Sequence, residues 1–182
     1  MRVIATMAAL AMLGTACSST EPATTIPSGD ASANTAEIYA VALHELVVAD
    51  NTFGGGGNPF SELLVLTTLD AAAGAGYIQE GSTDGIRPLS DDERKAIEDA
   101  LSPLAGIRWI DDAAEWRTDD LMPVIERSAI LGVGSITFDG DGALVPISMW
   151  CGGLCGTWFT YRVIQSDQGW IVAGIEGPIA VS

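Results

Sequence analysis

This chain is short of the residues on which most catalysis and most nucleic-acid binding rely. It has one histidine, His44, and eight lysines and arginines, of which Lys95 is the only lysine. Against these stand 24 acidic residues, for a net charge of −16. A surface so negative repels nucleic acid and anionic headgroups, which removes both as partners and leaves solubility or attraction to a basic partner as its use. The single histidine undoes the one metalloprotease signal. His44-Glu45 opens an H-E-x-x-H pattern, but Val48 stands where the second histidine is required. No G-x-S-x-G nucleophile turn is present. Gly54 to Gly57 and Gly74-Ala75-Gly76 lack the spacing and context of a phosphate loop. Asp139-Gly140-Asp141-Gly142 reads as a hairpin turn, because counting twelve residues from Asp139 reaches Trp150 where a calcium loop needs glutamate. No cofactor and no metal ligand is implied. Among so many carboxylates an acid/base pair could meet in the fold, yet nothing selects which two, so no catalytic residue is named.

Long apolar runs are lacking too, and the longest has a different meaning. Met1 and Arg2 give a positive start, Val3 to Leu13 an apolar run, and Gly14-Thr15-Ala16 a small-residue exit before Cys17. Crossing a bilayer takes roughly 20 apolar residues. A charged start, short apolar core and small-residue exit instead mark a removable signal peptide. The site resembles the lipobox of bacterial lipoproteins, which implies a diacylglycerol thioether on Cys17 and a lipid anchor on the extracytoplasmic face of a cell membrane. The one departure is Gly14, where leucine is commoner. Removing 16 residues of the 182 leaves 166, and loss of Arg2 takes the charge to −17.

Residues 17–36 then read as a lipidated, disordered tether. They are rich in Ser, Thr, Ala and Pro, with Ile26 as the only large apolar side chain. Residues 37–182 are expected to form a single domain, within the usual size of roughly 100–150 residues. Glu37 to Val48 fits a helix, with Tyr39, Ala42, Leu43, Leu46 and Val47 on one stripe. Ser61 to Leu69 reads as a central strand. Ser90-Asp91-Asp92-Glu93 is a capping box opening a second helix, which Pro103 should end near Ser102. Ile107 to Ile110 looks like a short strand, and Asp111 to Arg127 like a helix broken at Pro123. Ala129 to Phe138, Leu144 to Trp150, Thr157 to Gln165 and Trp170 to Ile175 are strand-like and joined by short turns. The expected fold is α+β: an antiparallel β-meander sheet with two or three helices packed on one face.

Of three cysteines, lipid would consume Cys17, leaving Cys151 and Cys155 as an even pair outside the reducing cytosol. Their C-x3-C spacing, with no helix after it, favours a structural disulfide over a redox or metal pair. If the two cysteines face each other, Met149 meets Thr157, Ile147 meets Phe159 and Val145 meets Tyr161. All then share one face, and a one-residue slip would scatter them. The other face carries Trp150, Ser148, Trp158, Thr160 and Arg162, with Trp150 across from Gly156. Either a helix or loop covers these rings, or Trp150, Trp158 and Arg162 form an open aromatic contact face.

From Ile38 onward the chain resembles a group of secreted or lipid-anchored bacterial proteins of uncharacterised activity. Ile38-Tyr39-Ala40, Asp50-Asn51-Thr52-Phe53-Gly54, the Trp150-Cys151-Gly152-Gly153-Leu154-Cys155-Gly156 block and the ending Gly169-Trp170 through Gly177-Pro178 carry the likeness. It implies an exported single domain with the hairpin intact, and assigns no site. The leading expectation is a membrane-anchored, non-enzymatic binding or interaction module for an envelope protein or glycan. The alternatives are an envelope-acting hydrolase using paired carboxylates and a structural envelope protein.

Overall fold

The computed structural model describes residues 28–54, 56–74 and 86–182, with side chains from residue 34 onward. The expected signal peptide, the expected lipid site Cys17 and residues 17–27 of the expected tether lie outside the described residues. Helix α1 runs Ser28–Val48, starting nine residues before the expected Glu37, so residues 28–36 are helical rather than tether. Strand β1 (Glu62–Leu66) follows, then α2 (Asp91–Leu101), β2 (Gly106–Ile110), and β3 (Ser128–Val133). The chain ends in β4 (Thr137–Asp139), β5 (Gly142–Gly152), β6 (Cys155–Ser166) and β7 (Gly169–Val181).

These strands form one seven-stranded sheet in the order β2-β1-β3-β5-β6-β7, with β4 pairing to β5. The expected meander holds for β5, β6 and β7, which are antiparallel. It does not hold for the sheet as a whole, because β1 lies parallel to both β2 and β3. The causes are two crossovers, the long connection after β1, which contains α2, and the 111–127 segment between β2 and β3. Each returns the chain to the same end of the sheet, and the next strand then runs parallel. The stretch read as one strand from Ala129 to Phe138 is two strands, both paired to β5 and interrupted at residues 134–136, where Gly134 still donates to the Pro146 carbonyl at 2.8 Å.

Both helices cover one face of the sheet. On α1, Ile38, Tyr39, Ala42, Leu43, Leu46 and Val47 are buried, the anticipated stripe plus Ile38, together with the small Ala36 and Ala40. The stripe and Ile38 meet Leu63, Val65, Leu131, Val145, Ile147, Met149, Phe159 and Tyr161 in one core. The hairpin register is as expected: Met149 with Thr157, Ile147 with Phe159, Val145 with Tyr161. Helix α2 starts at the anticipated box, with Ser90 accepting from Glu93 N–H and the Glu93 carboxylate accepting from Ser90 N–H. That carboxylate is buried and also takes two bonds from Arg87, at 2.6 and 2.7 Å. Burial alone would push its pKa up; the Arg87 and Ser90 bonds outweigh it and leave the group below its ordinary value.

The opposite face holds a smaller cluster of Leu64, Ile110, Ile130 and Trp150. The segment between β2 and β3 covers it, contributing Ala113, Trp116 and Ile125. The broken helix anticipated there is a single 3-10 turn, Ala113–Trp116, followed by a small flap. Further along this face, Asp70 accepts from Ser148 Oγ at 2.6 Å directly above Gly132. A Cβ at residue 132 would lie 2.6 Å from both side-chain oxygens, so only glycine fits.

Candidate interaction surface at the hairpin end

One end of the sheet gathers the starts of β1 and β3, the β5–β6 turn and the loop after α1. Cys151 and Cys155 are joined there by a disulfide with Cα atoms 5.0 Å apart. Gly152 pairs with Cys155, so the ladder shifts by one residue at Cys151 and the turn is tighter than a symmetric Cys–Cys pairing. Thr52 Oγ1 sits 3.1 Å from Cys155 Sγ, which ties the post-helix loop to the bridge. That loop leaves α1 through Asn51, whose amide donates to the Val47 carbonyl at 2.8 Å while its side-chain oxygen accepts from Phe53 N–H.

The flap before β3 is built on its own turn. Thr118 N–H donates to the Met122 carbonyl, and Met122 N–H donates to Thr118 Oγ1. Asp119, Asp120 and Leu121 form the three-residue loop between them. Such a loop usually places glycine at its third position, where φ is positive. Here Leu121 takes it, at φ +57°. Leu121 then reaches the β5–β6 turn, its side chain lying against Gly153, and the Met122 sulfur lies against Gly152.

The result is a joined apolar surface. Leu154 is 95 % exposed, Phe53 64 %, Leu121 57 %, Met122 55 % and Val124 54 %. Between Phe53, Phe60, Pro123, Val124 and Cys151 runs a groove of about 560 Å³, which Glu126 and Arg127 also line. Phe53 and Phe60 meet edge to face at 5.9 Å, which seats the outer ring on a buried one.

The residues singled out from sequence are distributed differently. Trp150 is 7 % exposed: it packs in the small cluster, and Arg117 lies over its ring at 4.5 Å. A loop therefore covers this ring. Trp158 is half-buried, and its own indole, rather than that of Trp150, shields Gly156. Trp150 does pair with Gly156 across the ladder. Arg162 is drawn to the far end of the sheet, where it bonds Asp139 at 2.9 Å and Glu176 at 3.4 Å. The Asp139 bond, then the smaller contribution of Glu176, holds its guanidinium more firmly protonated than usual. Trp150 and Trp158 thus share a cluster, while Arg162 serves other partners, and the three do not make one open face.

Sequence reading missed Phe53, Leu121, Met122, Val124 and Leu154. Two signals were there: Leu154 is an apolar residue inside a glycine turn, and Leu121-Met122-Pro123-Val124-Ile125 is an apolar run inside an acidic stretch. Elsewhere the polar chemistry is devoted to the fold. Tyr161, buried in the core, donates to Asp50 Oδ2 at 2.6 Å; burial, reinforced by that carboxylate, pushes its phenol well above the ordinary range. Burial likewise pushes Tyr39, which donates to the Gly134 carbonyl, up to about 12. Among the described residues every buried side-chain nitrogen and oxygen has a partner, and no group of His, Cys, Asp and Glu is placed to hold a metal ion. The chain matches no protein-family model, no curated protein and no solved structure.

Proposed function

We infer that this protein is a lipid-anchored, extracytoplasmic interaction module that binds a partner protein through the apolar surface at its hairpin end. The observation that carries the reading is the gathering of Phe53, Leu121, Met122, Val124 and Leu154 around the disulfide. Large apolar side chains clustered in the open mark interaction sites. The left-handed Leu121 adds weight. A leucine there strains the backbone where glycine would not, and strain of this kind collects at functional sites. A protein partner fits better than a glycan. Sugar rings stack on open aromatic platforms, whereas Trp150 is covered and the exposed rings Phe53 and Phe138 lie at opposite ends of the sheet.

Anchoring and binding fit one geometry. Cys17 precedes the start of α1, while Phe53 follows its end. The 21-residue helix spans about 30 Å. An anchor at Cys17 would attach to the end of α1 opposite Phe53, leaving the apolar surface about one helix length from the point of attachment. The Cys151–Cys155 bridge agrees with an oxidising compartment. Two measurements test the reading. Cys17→Ala should move the protein from the membrane fraction to the soluble one; retention would refute the anchor. A hydrophobic dye such as bis-ANS should bind the folded protein and lose that binding in Leu121→Ser/Leu154→Ser; unchanged dye binding would refute the surface.

A further inference from the structure

We propose that the partner segment seated on this surface is cationic as well as apolar: a lysine- or arginine-bearing amphipathic stretch of another protein. The proposal rests on the interaction module inferred above and names the chemistry of its partner. Charge around the groove selects this partner. Asp119 and Asp120 share the three-residue turn with Leu121, and Glu126 lines the groove itself. None of these three carboxylates has an ion-pair partner among the described residues. The positive groups nearby are committed. Arg117 stacks on Trp150, and Arg127 donates to the Pro59 carbonyl at 3.0 Å. Counting both Arg117 and Arg127 against the three carboxylates still leaves the rim negative by one charge.

The same charges decide between occupants. A second copy would set one acidic rim against another, on molecules of net charge −16, which opposes self-association. An anionic bilayer would be repelled in the same way. A basic amphipathic segment satisfies both features at once: its apolar side chains enter the groove beside Met122 and Val124, and its cations meet Asp119, Asp120 and Glu126. Complementary charge of this kind speeds encounter and makes it sensitive to salt.

The test uses the folded mature protein and two synthetic peptides of leucine and tryptophan, one with lysine and one with glutamate at the polar positions, read by fluorescence anisotropy. The lysine peptide should bind, and more weakly as salt is added; the glutamate peptide should not. Leu121→Ser/Leu154→Ser, which leaves the charge unchanged, should weaken the lysine peptide at least about tenfold. Asp119→Asn/Asp120→Asn/Glu126→Gln, which leaves the apolar surface unchanged, should do the same. Leu154→Ala, at the most exposed position of a turn, guards against a folding artefact and should weaken binding with no change in melting temperature. Equal binding of the lysine peptide to wild type and the serine variant would mean charge alone acts, and would overturn the proposal. Equal binding of both peptides to wild type, lost in the serine variant, would overturn the cationic partner and keep the interaction surface. Binding to phosphatidylglycerol vesicles, or concentration-dependent dimerisation abolished by the serine variant, would replace the proposed occupant with a membrane or a second copy.

Discussion

Arg117 lies over the indole of Trp150 with its guanidinium carbon 4.5 Å from the ring centroid. One contact does two things here. It closes the second face of the sheet, where Trp150 packs on Leu64, Ile110 and Ile130. It also engages a positive charge that would otherwise sit free on an acidic flap.

Replacing Arg117 with alanine should therefore cost about 0.5–1 kcal/mol through the lost stacking. More tellingly, tryptophan emission should shift to the red and become more open to iodide quenching as Trp150 gains water. A double-mutant cycle with Trp150→Phe separates the ring contact from a general loosening of the flap.

Leu121→Gly is predicted to act in opposite directions on stability and binding. Relief of the left-handed leucine should stabilise the fold by up to about 1 kcal/mol, a rise of about 3–5 °C in melting temperature. Loss of the side chain should reduce bis-ANS binding. A variant that melted higher and bound dye equally well would detach Leu121 from the interaction surface.

The Cys151–Cys155 bridge closes a small ring, so the double serine variant should lose only about 2 kcal/mol and keep its fold. Circular dichroism and a thermal melt check this. Thiol titration of the unfolded, delipidated mature protein should find no free thiol before reduction; two would remove the disulfide.

Acid and alkali should destabilise the protein by different groups. The folded-state pKa of Glu93 lies below its unfolded value, so the folded protein binds fewer protons there. Its contribution is present above the ordinary glutamate range and is lost as pH falls through the lower, folded value. Tyr39 and Tyr161 are shifted upward, so above about pH 10 the unfolded chain loses phenolic protons that the folded protein keeps. Stability then falls as pH rises. In a tyrosinate titration, two of the three tyrosines should ionise only with unfolding. Glu93→Gln should flatten the acid limb, and Tyr161→Phe should cost about 1.5–3 kcal/mol through the lost bond to Asp50.

The parts of this fold that are legible in sequence are those decided by neighbours along the chain. Ser90 and Glu93 stand three residues apart, and their box forms wherever a helix starts. Alternation around Cys151 and Cys155 determines the β5–β6 register, because a slip would bury polar side chains. The parallel pairing of β1 with β2 and β3 was not legible, since it depends on two crossovers between distant segments, α2 after β1 and the 111–127 segment after β2. The candidate site divides the same way. Disulfide and turn could be read from spacing, whereas the cover on Trp150 comes from Arg117, 33 positions earlier, and nothing local to the hairpin announces it. Leu121 is exposed because a hydrogen-bonded turn at Thr118 lifts it against Gly153, a contact between two loops that have no common pattern.

The hairpin end is proposed as a docking surface that is occupied in the protein's own setting. Covalent footprinting of the protein on intact cells, compared with the purified protein, is the decisive comparison. Leu121, Met122 and Leu154 should label strongly in the purified protein and be protected on cells, while Phe138, exposed at the other end of the sheet, should label alike in both. Equal labelling of all four residues in the two settings would contradict the account.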